Sequence, residues 1–245
     1  MSGHSKWNNI KRKKEKTDGQ KAKLFTKVGR EIAVAVKEGG SADPNANSRL
    51  KDAIAKAKAN NVPNDNIERI IKKAAGEGNA DKYEHLSYEG YGPAGIAVIV
   101  ETLTDNRNRT AGEMRHYFDK YGGNLGQTGC VSFMFHSKGV LAIEAEGLDE
   151  DKVMEDALMA GASDFNADGD VFEIITEPDD FSAVCEDLEQ KGYTFLSADV
   201  AQIPDVYNTI DDADQIVQME KLLDMLDDND DVQNVWHNWE RPDEE

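Results

Sequence analysis

The hydrophobic pattern changes period once, at residues 76–81, and the change divides the chain into a helical part and a strand-bearing part. Before it, Leu24, Val28, Ile32 and Val36 recur every four residues, with Phe25, Ala33 and Ala35 widening the apolar face. That spacing predicts a helix, which Gly39 and Gly40 end. A polar turn at 43–47 leads to a second helix starting near Ser48 and marked by Leu50, Ala53, Ile54 and Ala57, interrupted by Asn60, Asn61 and Pro63. Asn64 is placed to cap a third, with Ile67, Ile70, Ile71 and Ala74 on one face and Gly76 as its stop. Residues 1–80 therefore read as a three-helix domain.

Beyond the boundary the residues alternate between strand and helix patterns. Residues 86–91 read as an edge-like strand, 91–95 as a turn, 96–103 as a strand, 109–121 as a helix and 131–135 as a strand. The order then becomes strand 140–145, helix 150–160, strands 164–166 and 171–176 around Asp168 and Gly169, helix 178–191 and strand 194–198. This β-α-β-β-α-β order is a ferredoxin-like unit. The remaining strand 200–203, helix 213–226 and strand 232–239 cannot form a domain alone, but joined to 96–135 they supply a second such unit. The expected class is thus multi-domain α and α+β. A basic helical domain spans 1–80, and a discontinuous α+β domain takes 81–137 and 199–241. A third, α+β, occupies 138–198 inserted in the second, and an acidic tail follows at 242–245.

Charge follows the same boundary. The chain of 245 residues carries 28 Lys plus Arg and 48 Asp plus Glu, a net −20, yet residues 1–80 hold 18 and 9, which is +9, and the other 165 hold 10 and 39, which is −29. Ten of the cations fall in the first 30 residues: Lys6, Lys11, Arg12, Lys13, Lys14, Lys16, Lys21, Lys23, Lys27 and Arg30. Such asymmetry points to a polyanion-binding end, and Trp7 among the cations offers a surface on which a base can stack. The net −29 body repels phosphate within a Debye length of about 8 Å, which confines contact to the arm and to one loop. That loop, 104–110, brings the guanidiniums of Arg107 and Arg109 to a strand end, where they fit phosphate; a helix cap by Asp105 or Asn108 is an equal reading of the same residues. The glycine-rich stretch 122–129 reads as a permissive turn rather than a phosphate cradle, since neither Lys nor a helix follows it.

Catalytic chemistry finds no named group. His4, His85, His116, His136 and His237 are scattered, and Cys130 and Cys185 lack metal or disulfide-framework spacing. No nucleophile elbow, phosphate-binding P-loop or dinucleotide fingerprint is present. Pairs such as Asp179 and Asp180, or Asp227 and Asp228, read as solvated surface. The longest apolar run, near 96–100, is far short of the roughly 20 residues of a membrane span, and 1–16 lacks a secretory apolar core. A cytoplasmic, reduced, non-enzymatic protein without cofactor or metal is expected.

Several strings also match a known family. Ser2-Gly3-His4-Ser5-Lys6-Trp7, Tyr88-Glu89-Gly90-Tyr91-Gly92-Pro93, the loop from Thr104 to Thr110 and Gly123-Asn124-Leu125-Gly126 closely resemble the YebC-like family. Its members are bacterial proteins described as probable transcriptional regulators, together with the mitochondrial translational activator of cytochrome c oxidase. The resemblance implies a helical domain followed by two α+β domains, nucleic-acid binding and a cytoplasmic setting. It further implies either DNA-binding transcription control or ribosome-associated translation, including relief of stalling on proline-rich stretches. Ala94 departs from the family's frequent Gly-Pro-Gly-Gly and leaves Gly95 to make the turn.

The expected function is a nucleic-acid-binding regulator of gene expression, first a DNA-binding transcriptional regulator. The alternatives are an rRNA- or ribosome-associated translation factor, and a factor acting through protein contacts of its acidic domains. Partners are therefore DNA or rRNA, with the ribosome or another protein beyond them and no membrane; sequence leaves the oligomeric state open.

Overall fold

Three amphipathic helices form first along the chain: α1 (Asp18–Glu38), α2 (Ser48–Ala59) and α3 (Asn64–Ala75). The structure, a computed structural model, describes residues 18–59, 62–76 and 83–241. Val28, Ile32, Ala35 and Val36 of α1 pack on Leu50, Ala53 and Ala57 of α2 and on Ile67 of α3. Asn47 fixes the first corner: its amide donates to the carbonyls of Ala35 and Ser41 at 2.8 and 2.9 Å, and its Oδ1 accepts the Leu50 N–H at 3.1 Å. A Cβ on Gly39 would lie 2.2 Å from that amide, so the corner requires glycine there. Asn64 does not cap α3. Extended Pro63 precedes the helix instead, and its carbonyl accepts the N–H groups of Asn66 and Ile67.

The strand-bearing part contains two antiparallel sheets of four strands. The first comprises β1 (Glu84–Tyr91), β2 (Ala97–Thr104), β3 (Asn124–Leu125) and β8 (Val232–His237), in the order β3-β1-β2-β8. Helices α4 (Arg107–Lys120) and α7 (Ala213–Asp228) cover one face. There Ile96, just before β2, and Val98 and Val100 of β2 meet Met114 and Phe118 of α4 and Met219, Leu222 and Leu226 of α7. On the other face Ala97 and Ile99 pack with Val131 and Phe135.

Two expectations for this sheet are corrected and a third is narrowed. The strand 86–91 pairs with β2 throughout but with β3 only at Gly90 and Tyr91, so it is edge-like in its first part and gains a second partner at its end. Residues 131–135 give no strand in this sheet: Ser132–Met134 is a single 3-10 turn, because the N–H groups of Val131 and Ser132 bond the Glu89 carboxylate and are lost to any ladder. The apolar run 200–203 continues β7 (Phe195–Pro204) in the second sheet.

That second sheet adds β4 (Phe135–Glu144), β5 (Asp164–Asp168) and β6 (Val171–Thr176), in the order β5-β6-β4-β7. Helices α5 (Glu150–Ala160) and α6 (Phe181–Gln190) supply Val153, Ala157, Val184 and Leu188 against Leu141, Ile143, Phe172 and Ile174 of the sheet. Asp149 caps α5 by accepting the Lys152 N–H at 3.0 Å, and Gly161 ends it at φ 109°. Residues 136–203 form one compact unit; another contains the described parts of 17–135 and of 204–245.

The β1–β2 connection carries the only described non-glycine residue with a left-handed backbone, Ala94 at φ 55°, followed by Gly95 at φ 76°. Both residues therefore make the turn. A left-handed alanine costs about 1–2 kcal/mol, partly offset by the greater unfolded-state freedom of a glycine. Ala94→Gly should raise unfolding stability by about 0.5–1 kcal/mol, measured by urea titration; a lower midpoint would contradict the strain.

Candidate nucleic-acid interface

Lys23, Lys27 and Arg30 recur at i, i+4 and i+7, on the side of α1 away from the Val28–Ile32–Val36 stripe. They meet the C-terminal end of α7. Lys23 Nζ donates to Asp228 Oδ1 at 3.0 Å and to its carbonyl at 3.3 Å. Lys27, 9% exposed, donates to the Asp227 carbonyl at 2.7 Å. Arg30 donates to the Asp230 carbonyl at 2.8 Å and to Asp231 Oδ1 at 3.0 Å, with its guanidinium 5.5 Å from the Tyr83 ring centre.

The chemistry of that helix end explains the convergence. The last carbonyls of a helix lack partners and form its negative pole. α7 has no basic residue in its last turn and places Asp224, Asp227 and Asp228 there. Its own sequence aggravates the pole, and cations from α1 compensate it.

Asp231 joins this cluster to the loop at 104–110. Its side chain is 5% exposed. Oδ2 accepts Arg109 Nη2 at 2.7 Å, the Thr110 hydroxyl at 2.8 Å and the Thr104 hydroxyl at 3.0 Å, while Oδ1 accepts Arg30. Burial alone would push this carboxyl up; the bonds from Arg109, Thr110 and Thr104 outweigh it and hold the pKa below the ordinary carboxylate value. The same bond, with a second that Arg109 donates to Asp105 Oδ1 at 2.8 Å, pushes the Arg109 guanidinium further up. Asn106, rather than Asp105 or Asn108, caps α4, accepting the Arg109 N–H at 3.1 Å. Asn229 fixes the turn on α4 by donating to Glu113 at 2.8 Å and Tyr117 at 3.2 Å.

A second buried carboxylate organises the glycine-rich loop. Glu89 is 3% exposed and accepts the N–H groups of Gly129, Val131 and Ser132 at 2.8, 3.0 and 2.8 Å. Desolvation raises its pKa, and these three donors reverse the sign, leaving it lowered. The loop is packed tightly at its base, where a Cβ on Gly126 would lie 2.5 Å from Cys130 Sγ. Residues 121–137 contain no Asp, Glu, Lys or Arg in a chain that is 31% charged, and Phe133 is 70% exposed.

Among the sequence-derived contact residues, Lys6, Trp7, Lys11, Arg12, Lys13, Lys14 and Lys16 lie outside the described residues, as does the tail 242–245. Lys21 falls in α1, with its side chain likewise outside the description. Lys23, Lys27, Arg30 and Arg109 converge on 227–231, whereas Arg107 stands exposed at the first turn of α4. Asp231 and Glu89 are the organising residues that sequence reasoning missed. The one available signal was a helix ending in aspartates without a cation of its own. Among the described residues no group of three or more His, Cys, Asp or Glu could hold a metal ion, and no helix is long and apolar enough to cross a membrane.

Comparison with known proteins covers the whole of this arrangement. A protein of Acetivibrio thermocellus named "Probable transcriptional regulatory protein" is 62% identical over 240 residues, 98% of this chain and 99% of its own. One of the same name from Caldicellulosiruptor bescii is 59% identical over 245 residues, the full length of both. Among solved structures, a conserved hypothetical protein of Aquifex aeolicus is 44% identical, covers 94% of each chain and superposes with a TM-score of 0.83. Residues 5–77 match the family described as TACO1/YebC protein N-terminal domain, and residues 83–239 that described as TACO1/YebC second and third domain. With both parts matched in order along one chain, the protein belongs to the TACO1/YebC family.

Proposed function

We propose that this protein is a nucleic-acid-binding regulator of gene expression, acting on DNA in transcription without catalysis and in the cytoplasm. The observation that carries the reading is the +9 of residues 1–80 within a chain of −20: a cationic end on an anionic body suits a phosphate backbone and little else. The name "Probable transcriptional regulatory protein" borne by relatives over full length supports the regulatory role. Lys23, Lys27, Arg30 and Arg109 already have partners within the chain. With them, the proposed contact set takes in Lys6, Trp7, Lys11, Arg12, Lys13, Lys14, Lys16, Lys21 and Arg107, on the charge distribution of the sequence. We assign three domains, at 1–80, 81–135 with 204–241, and 136–203; the last two bounds move from the expected 81–137 with 199–241 and 138–198 because β7 runs on to Pro204 in the second sheet. For 136–203, the strand order β5-β6-β4-β7 supports a ferredoxin-like arrangement.

If about five cations neutralise duplex phosphates, log affinity falls against log salt with a slope near −4.5. The measurement is a titration of the full-length protein with duplex DNA, an rRNA fragment and ribosomes across a salt series. Absence of salt-sensitive binding to all three would overturn the reading.

One observation favours a second reading, in which rRNA is the target in translation. The uncharged loop 121–137 with Phe133 exposed suits unpaired bases, which stack on aromatic rings, better than a stacked duplex. Preference for the rRNA fragment over duplex, lost in Phe133→Ala, distinguishes it. Function retained after removal of residues 1–30 would instead favour protein contacts through the acidic domains.

A further inference from the structure

We propose that the end of α7 and the turn after it are an internal stand-in for a phosphate chain, which holds the cations of α1 until an external polyanion displaces it. The inference rests on the nucleic-acid reading above and adds a regulated step to it.

The arrangement has the form of polyanion recognition. Lys23, Lys27 and Arg30 span seven residues, about 10 Å of helix. Along that length each meets a carbonyl or carboxylate oxygen of Asp227, Asp228, Asp230 or Asp231. Phosphate offers these cations the same kind of acceptor. The local anion density exceeds what α7 tolerates alone, because its aspartates sit at the negative pole of their own helix.

Exposure gives the exchange an entry point. The Lys23–Asp228 pair lies at the rim, with side chains 43% and 60% exposed, and exposed ion pairs are weak and screened by salt. Lys27, 9% exposed, sits further in and is released only when α1 lifts from α7. A polyanion that first meets residues 1–21 can therefore take Lys23 at the rim and then the rest. Asp231 is less exchangeable, since it also holds Arg109, Thr104 and Thr110.

The test compares three full-length proteins: wild type, the turn variant D227N/D228N/D230N, and the control E155Q/D179N/E189Q, which removes equal charge from exposed positions of the 136–203 unit. The probes are a mixed-sequence DNA duplex and an rRNA fragment, over a salt series. The turn variant should bind about tenfold tighter than wild type, as the Lys23–Asp228 ion pair and the negative charge of Asp227 and Asp230 beside the cations are removed while the carbonyl contacts of Lys27 and Arg30 remain. Its salt slope should steepen by about 0.9 for each cation freed to neutralise a duplex phosphate; the control should gain less affinity with no change of slope. In wild type, saturating probe should speed amide hydrogen exchange at 227–231. Binding by wild type with the turn variant matching the control, and with exchange at 227–231 unchanged, overturns the inference and leaves nucleic-acid binding intact. Absence of binding by all three proteins overturns both.

Discussion

Asp231→Ala should lower the unfolding free energy of the unit that contains it by about 3 kcal/mol, at the low end of what breaking a buried ion pair costs. The buried hydroxyls of Thr104 and Thr110 lose their common acceptor but retain each other at 2.8 Å. Arg109 and Arg30, with side chains 42% and 22% exposed, recover water in part. For a unit of this size such a loss corresponds to a melting temperature lower by about 6–12 °C, readable by calorimetry. A change below 2 °C would show that the carboxylate is dispensable.

The sign of the pH dependence follows from the lowered pKa. Asp231 contributes its stability fully above the ordinary carboxylate pKa and loses it as pH falls through the lower, folded-state value. Glu89 behaves in the same sense. Both act in the acid limb, below about pH 4, and Asp231→Asn should flatten that limb while lowering stability across the neutral range, where the wild-type carboxylate is ionised.

Glu89→Ala should release the glycine-rich loop and cost about 3 kcal/mol. Three backbone donors lose a charged acceptor, and the Val131 N–H, in a residue with no exposure, is left buried without one. Amide exchange at Gly129, Val131 and Ser132 should accelerate beyond that of the strands, while exchange in the 136–203 unit stays unchanged. Glu89→Gln should restore only part of the protection, because its NH2 faces N–H donors where a carboxylate has oxygen. Equal protection in all three proteins would mean that the ladder around β3, not Glu89, holds the loop.

These two carboxylates also mark where the fold ceased to be legible from sequence. The three helices were readable because Val28, Ile32 and Val36 or Ile67 and Ile70 keep helical spacing and are bounded by Gly39 and Gly76. The strands and helices of 140–198 were readable for a similar reason, with Gly161 and Gly169 punctuating them. Strand β1 reads as an edge because it carries Ser87, Glu89 and Gly90, and its first part is one; the short β3 that pairs with Gly90 and Tyr91, and the loop amides that satisfy Glu89, are announced by no local pattern. The apolar alternation of 131–135 is that of a strand, yet its N–H groups bond Glu89 and not a neighbouring strand. Asp227 to Asp231 resembles a solvated acidic run, and its partners lie some 200 residues away. The basic arm was found from charge alone; what most of its described members touch depends on tertiary structure.

The sequence separation of those contacts has a consequence during synthesis. The cations of α1 are joined to residues 200 to 205 positions further along, and a ribosome adds roughly 5–20 residues each second. For about 10–40 s, then, every newly made copy has its basic helix without the aspartates that later cover it. The nascent chain is more cationic at this helix than the finished protein, and it passes through that state beside the largest polyanion in its surroundings, the ribosome that is making it.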